Sequence, residues 1–335
     1  GDVRMKNACR RDRGAAPIPL FAESDRAQVL VWRGATPIAR SALLHDAAAF
    51  ASAIPAAAEI VNCCEDRYNF LVVFVACLLR GKAAILPHDA RRSALLAIAE
   101  QFSGALFAAD RSIDVPHSLL RRVSFAGTRP SRTPPNPEIP GDQEAVILFT
   151  SGTTARAVPV VRSWAWLVAG AADYVSGLSL QRLNGLTIIS TVPPQHSYGL
   201  EATVILPLRS NASAYATRPL FPKDVFGALA AARAPAALVT TPFHLEALLR
   251  SRARCPKIAL VLSATSPLSK ALAARAETAF GAEVREVYGC SEVGLVGTRR
   301  PTHSEFWEPG ASVTLSEADG RAYVTARHLP NRIEL

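Results

Sequence analysis

The chain has 335 residues, 49% of them apolar, and a formal net charge of +9 at neutral pH. That apolar share excludes a disordered chain, and the length allows two or three core-forming units. The longest apolar run, Phe70 to Leu79, is ended by Arg80 and is far too short to cross a membrane.

Taken in chain order, helical spacing predicts helices over Ser41–Ile54, Asp66–Arg80 and Arg91–Phe102, with strands at Glu59–Asn62, Ala83–Pro87 and Ala105–Ala109 between them. The proline-rich stretch 128–141 reads as a connector. A second alternating series follows, with strands at Ala145–Phe149, Leu186–Val192, Ala236–Thr241, Ile258–Ser263 and Glu283–Tyr288. Its predicted helices are Ser163–Gly177, His244–Arg252 and Ser269–Phe280. Near the end, Ser312–Leu315 and Arg321–Thr325 flank Ala318-Asp319-Gly320, a β-hairpin signal. Alternation of strands and helices implies an α/β protein built on parallel sheets: two flavodoxin-like α/β subdomains and the start of a small β-rich unit. The expected divisions are residues 5–140, 141–300 and 301–335.

The six cysteines show no metal-ligand spacing, and reduced thiols in a cytoplasmic protein are the simplest reading. The arginines are scattered, without a basic stripe interleaved with aromatics, so nucleic-acid binding is not expected. Anionic small molecules or an acidic carrier protein suit the charge as well.

Two clusters carry the chemistry. Strand Ala145–Phe149 runs into Thr150-Ser151-Gly152-Thr153-Thr154, where hydroxyls, backbone N–H groups and a permissive glycine suit polyphosphate oxygens. It is not a Walker loop. Far downstream lies Glu286-Val-Tyr-Gly-Cys-Ser-Glu-Val-Gly294. Between them stand Thr191-Val-Pro-Pro-Gln-His-Ser-Tyr-Gly-Leu200, Val239-Thr-Thr-Pro242 and Leu262-Ser-Ala-Thr-Ser-Pro-Leu268. Alone, Tyr288 is an ordinary half-buried tyrosine, Glu292 a solvated loop acid, and His196 a side chain bonded to a backbone carbonyl.

In this order the five segments resemble the adenylate-forming superfamily of acyl- and aryl-CoA synthetases, adenylation domains and luciferases. The resemblance implies the large N-terminal domain of an ATP-dependent acid–thiol ligase. Such an enzyme activates an acyl or aromatic carboxylic acid as acyl-AMP for transfer to the pantetheine thiol of CoA or an acyl carrier protein. It implies ATP and Mg²⁺ as cofactors. Thr150, Ser151, Gly152, Thr153 and Thr154 would hold the β- and γ-phosphates, Ser291 the α-phosphate and Glu292 the metal. Tyr288, followed by Gly289, would stack on adenine beside the backbone of Ala264, Thr265 and Ser266. Asn331 stands where the family holds the ribose with an aspartate. His196, Tyr198 and Gly199 would shape the acyl pocket, with His196 gating the carboxylate.

The sequence also departs from the family. The phosphate loop continues Ala155-Arg156-Ala157-Val158 where the family has glycine and lysine, and a basic residue recurs at Arg162. Arg162 at this later position, with Asn62-Cys-Cys-Glu-Asp-Arg67 and Leu78-Leu-Arg-Gly-Lys82, is similar to a bacterial subgroup associated with aryl polyene pigments. Arg162 would then be the phosphate-side cation. The family continues into a small mobile C-terminal domain carrying a catalytic lysine, and this sequence reads as the large domain alone.

Two other enzyme classes do not fit the sequence. Gly289-Cys-Ser-Glu-Val293 misses the hydrolase elbow, because valine stands where its second glycine is required. No G-x-G-x-x-G follows a strand, which argues against a dehydrogenase. The altered loop leaves a non-catalytic nucleotide- or acyl-binding module as the alternative function.

Overall fold

A computed structural model describes residues 16–22, 25, 27–149, 158–183, 185–233, 235–251, 253–326, 329 and 331–335. The elements begin with β1 (Pro17–Pro19), β2 (Val29–Arg33), β3 (Thr36–Ala39), α1 (Arg40–Ala53), β4 (Glu59–Asn62), α2 (Arg67–Leu79) and β5 (Ala84–Leu86). Next come α3 (Arg92–Gln101), β6 (Ala105–Ala109), β7 (Leu120–Arg122), β8 (Glu138–Pro140), β9 (Glu144–Phe149), β10 (Pro159–Ser163) and α4 (Trp164–Gly177). β11 (Leu186–Ser190), α5 (Ser197–Leu200), a π-helical turn (Glu201–Ile205), α6 (Leu206–Arg209), β12 (Ala212–Tyr215) and α7 (Pro222–Ala231) follow. Then come β13 (Ala236–Thr240), α8 (Pro242–Arg250), β14 (Leu260–Ser263), α9 (Lys270–Phe280) and β15 (Glu283–Cys290). The series ends with β16 (Gly294–Arg299), β17 (Glu308–Pro309), β18 (Val313–Ala318), β19 (Arg321–Ala326) and β20 (Ile333–Glu334).

These elements form two compact units. The first comprises the described residues up to Val29 with Ile38–Val168, and the second Leu30–Pro37 with Ala169–Leu335. The division therefore falls later than residue 141: β9 pairs in parallel with β5, in the register Ala84↔Val146, and so belongs to the first sheet.

In the first unit the sheet order is β10-β9-β5-β4-β6-β7, with β10 the antiparallel edge. Helix α2 starts at Asp66, whose carboxylate accepts the N–H groups of Tyr68 and Asn69, the usual N-cap arrangement. Its residues from Arg67 to Leu78 are all buried. A helix that is apolar all round needs cover on every side, and α1 supplies part of it. The proline-rich connector contains one short strand: β8 pairs with β1 in a two-stranded ribbon. Prolines survive there because a two-stranded ribbon leaves outward positions whose N–H is not needed.

In the second unit nine strands run in the order β17-β16-β15-β14-β13-β11-β12-β2-β3. Strands β2, β12, β11, β13, β14 and β15 are mutually parallel, while β16 and β17 are antiparallel additions. Alternate residues build two cores. Ile188, Ala237, Val239, Leu260 and Leu262 pack on one face with Tyr174 and Leu206. Ile189, Leu238, Val261 and Val284 pack on the other with Val225, Leu245 and Ala273. A sheet covered on both faces explains the near-continuous apolar strands. The hairpin is present as expected: Ala318 pairs with Arg321, and Asp319 (φ 52°) and Gly320 (φ 71°) both lie in the left-handed region. Two such residues make the type I′ turn favoured between twisted strands. β20 extends that pair to a three-stranded sheet.

Candidate active site

In a doubly wound sheet, ligands bind outside the carboxyl ends of the strands where the winding reverses. Each unit has one such point. In the first it lies between β4 and β6, and the protein's own carboxylate fills it. Asp110, directly after β6, accepts the N–H groups of Glu65 and Asp66, each at 2.9 Å, and the Asn69 amide at 3.2 Å. The amides that would greet an external anion at the start of α2 are thereby satisfied internally.

In the second unit the reversal lies between β11 and β13. Four segments lie at or just beyond the carboxyl ends of the parallel strands β11, β13, β14 and β15: Thr191–Gly199, Thr241–His244, Ala264–Ser266 and Tyr288–Glu292. All of the second unit's predicted site residues except Asn331 are among them. Asn331 is exposed in the turn before β20, in the three-stranded sheet.

At β15 the chain stays extended to Cys290, bulges between Tyr288 and Gly289, and turns back into β16. A side chain at Gly289 would lie 2.3 Å from the Gly294 carbonyl, so this glycine is required by the hairpin itself. The hairpin tip presents Ser291, half-buried, and Glu292, exposed. Burial first, and then the Glu292 carboxylate, push the Cys290 thiol up. Tyr288 leaves 42% of its surface open at the strand end. Its ring packs against Trp307 at a centroid distance of 5.4 Å.

The turn after β14 holds Thr265 at φ 81°, a left-handed conformation in a β-branched residue. Thr265 and Ser266 are exposed, while Ala264 is buried. Leu268 N–H, closing this turn, donates to Glu286 Oε1 at 2.7 Å.

After β11, His196 is exposed at the start of the short helix α5, and the Leu200 N–H donates to its carbonyl. Gly199 is needed for packing: a Cβ there would sit 1.9 Å from the Pro193 carbonyl oxygen. Tyr198 lies inside the core, and burial pushes its phenol well up. Its hydroxyl is buried without a well-formed hydrogen bond.

Thr241 closes an expected strand and belongs to the Val239–Pro242 landmark, but the polar cluster around it carries no motif. Thr191 Oγ1 lies 2.9 Å from Thr240 Oγ1, and His244 Nδ1 lies 3.0 Å from Thr241 Oγ1 and 3.4 Å from Thr191 Oγ1. Burial, and then the charge of Arg218, lower the His244 imidazole from its ordinary value. The available signal was position: each of these residues ends or follows a parallel strand at the point of reversal.

Thr150, Ser151, Gly152, Thr153 and Thr154 lie outside the described residues. Arg162 is placed in β10, only 2% exposed, with its guanidinium 3.6 Å from the centre of the Trp166 ring. That is a buried cation–π position within the first unit.

No group of three His, Cys, Asp or Glu side chains able to hold a metal occurs among the described residues. Magnesium does not require one: it is commonly held by one or two carboxylates together with phosphates and water. Exposed Glu292 at a hairpin tip fits that role.

Comparison with known proteins establishes the family. The chain matches the AMP-binding enzyme family over residues 82–325 and belongs to that family. It is 32% identical over 169 residues to a 4-coumarate–CoA ligase of Rhodobacter capsulatus, covering 50% of this chain and 41% of that ligase. The chain thus spans less than half the length of this curated relative. The fold is shared with O-succinylbenzoate coenzyme A synthetase of Bacillus subtilis in complex with AMP (TM-score 0.77, 17% identity, 94% of this chain and 71% of that one). It is also shared with a malonyl-CoA ligase bound to methylmalonyl-CoA and AMP (TM-score 0.71, 19% identity, 93% and 71%). No helix among the described residues is long and apolar enough to cross a membrane.

Proposed function

We propose that this chain is the nucleotide-binding part of an AMP-forming acid–thiol ligase. The observation that carries this reading is the gathering of four site segments along one edge of the second unit's parallel sheet. In the reaction a carboxylate oxygen attacks the α-phosphorus of ATP and the bond to pyrophosphate breaks. A pantetheine thiol, of CoA or an acyl carrier protein, then attacks the acyl carbon and AMP leaves. Two anions must meet in the first step, so the site has to supply positive charge and aligned donors.

Tyr288 offers an open aromatic face for adenine, with Ala264–Ser266 on the neighbouring strand end. Ser291 and Glu292 stand at the hairpin tip for the α-phosphate and Mg²⁺, and Thr150–Thr154 are assigned to the β- and γ-phosphates by their motif. Asn331 is assigned to the ribose. His196 marks the acyl side, with Tyr198 and Gly199 behind it. The buried Tyr198 hydroxyl and the Thr191–Thr240–His244 cluster support a ligand with a polar group there, since buried hydroxyls rarely go unbonded without a functional reason. The likeness of Asn62–Arg67 and Leu78–Lys82 to the aryl polyene subgroup points to an aromatic or polyunsaturated acid, and a cytoplasmic location belongs to the same reading.

Arg162 favours a second reading. Buried over Trp166, it supports packing more directly than phosphate binding, and with Ala155 and Val158 in the loop this is what a non-catalytic nucleotide-binding module would show.

Thermal unfolding with and without Mg-ATP tests the site. A ligand that binds only the folded state at a hundredfold excess over Kd stabilises by about 2.7 kcal/mol. The wild type is expected to show such a rise and Glu292→Ala a smaller one. No rise in the wild type removes the nucleotide site from this chain. A rise without turnover of any carboxylic acid, even with the family's small C-terminal domain supplied, selects the non-catalytic module.

A further inference from the structure

The exposed tyrosine of the hairpin does not stand alone. Glu286 and Arg299 are direct cross-strand partners on β15 and β16, and Tyr288 is paired with Gly297 two residues along. Arg299 Nε donates to Glu286 Oε2 at 2.6 Å, and its Nη1 donates to the Glu305 carbonyl at 3.1 Å. The same guanidinium lies 4.5 Å from the centre of the Trp307 ring, and Trp307 in turn packs on Tyr288. The other oxygen of Glu286, whose side chain is only 4% exposed, accepts the Leu268 N–H that closes the turn after β14. A continuous path of contacts therefore runs from the Ala264–Leu268 turn through Glu286, Arg299 and Trp307 to Tyr288.

The backbone is built to allow it. A Cβ at Gly297 would lie 2.8 Å from the Glu308 carbonyl oxygen, so the glycine lets β17 approach β16 closely. That approach fixes Glu308 opposite Thr298 and places the preceding residue, Trp307, beside the tyrosine. Aromatic pairs prefer tilted or offset geometries, and a guanidinium over the second ring adds a cation–π contact. Both restrict the plane that Tyr288 can adopt.

We propose that Glu286, Arg299 and Trp307 are positioning residues for a purine base, holding the Tyr288 ring and the Ala264–Ser266 turn in fixed relation to each other. This rests on the reading of Tyr288 as the adenine-stacking residue. None of the three needs to touch the nucleotide. Their effect is pre-organisation: with both walls held before binding, less freedom is lost when the base enters. The ion pair also explains why a charged residue is tolerated inside the sheet at position 286, since both carboxylate oxygens have donors.

The test is equilibrium binding of AMP to the chain by calorimetry, with the thermal midpoint of each variant as a check on folding. Trp307→Leu keeps an apolar side chain but removes the ring, and is expected to weaken AMP binding about tenfold, the scale of one lost aromatic pair. Trp307→Phe, which keeps a ring, is expected to retain affinity within about threefold. Arg299→Gln should weaken AMP as Trp307→Leu does, and the double variant should lose less than the product of the two, because both act on one stack. Equal affinity in wild type and Trp307→Leu overturns the inference while leaving the nucleotide site standing. Equal losses in Trp307→Leu and Trp307→Phe also overturn it, since that pattern marks a general packing role. Absence of AMP binding in the wild type overturns both this inference and the reading beneath it.

Discussion

Thr265 is held at φ 81° in the turn that follows β14. An L-residue in the left-handed region loses about 1–2 kcal/mol to contact between its Cβ and the backbone, and β-branching makes it worse. Such strain persists where a surrounding structure imposes it, commonly at ligand sites. Here Leu268 N–H is bonded to Glu286 at one end of the turn, and Ala264 N–H to the Thr240 carbonyl at the other. Glycine would relieve the strain and give back part of the gain through its freer unfolded chain. Thr265→Gly is therefore expected to stabilise the second unit by about 1 kcal/mol. The measurement is the urea midpoint, and an unchanged or lower midpoint would show that Thr265 is relaxed in its turn.

At the scale of elements, α2 illustrates how a helix start is secured from two directions. Asp66 caps it from within, accepting from Tyr68 and Asn69. Asp110 reaches across from the end of β6 to the N–H groups of Glu65 and Asp66 and to the Asn69 amide. Loss of a cap costs about 1 kcal/mol, while stranding several partly buried donors costs about 1–3 kcal/mol. Asp110→Ala should thus destabilise the first unit more than Asp66→Ala in urea unfolding, and equal losses would refute the role given to Asp110. The start of the helix was legible in the sequence, which opens the expected helix at Asp66 before a long apolar run. The Asp110 contact was not, since 44 residues separate it from Asp66 and only the parallel pairing of β4 with β6 joins them. The same division holds elsewhere. The strand Glu59–Asn62 matched the expectation residue for residue, and helix α9 matched once Ser269 is recognised as its cap. The segment from Ser197 to Arg209 was passed over because Tyr198 to Leu208 is buried on every side, which leaves no 3.6-residue period to read. Strand β16 was missed because it returns antiparallel through a short hairpin, near the edge of a sheet whose helix-connected strands are parallel. In the candidate site, the motifs single out Tyr288 and Glu292. Trp307, Arg299 and His244 belong to no motif and emerge only from cross-strand register and from the winding order of the sheet.

At the scale of the whole molecule, the distribution of titratable groups separates the two units. Cys63, Cys64 and Cys77 are buried in the first unit, whereas Cys255 and Cys290 of the second are partly open. Burial pushes the Cys63 and Cys77 thiols up to about 12 from 9.0, and Cys64 well upward by the same cause. Each thiol is thus neutral in the fold at a pH where the unfolded chain ionises it. A folded pKa above the unfolded one contributes stability that is complete below pH 9 and is lost as the pH rises toward 12. Each such group removes about 1.4 kcal/mol per pH unit within that window, so three together remove roughly 4 kcal/mol per unit. The first unit should therefore lose roughly 4 kcal/mol between pH 9 and 10, although neutral pH leaves it untouched. Urea midpoints at pH 8 and pH 10 measure this, and the double variant Cys63→Ala, Cys77→Ala should have a flatter dependence than wild type. Alkylation at pH 7.5, mapped by peptide mass, gives a second readout. Cys290 and Cys255 should react in the native protein, while Cys63, Cys64 and Cys77 should react only as fast as the first unit opens. Native-state labelling of Cys77 at the rate of Cys290 would contradict the burial on which the alkaline limit depends.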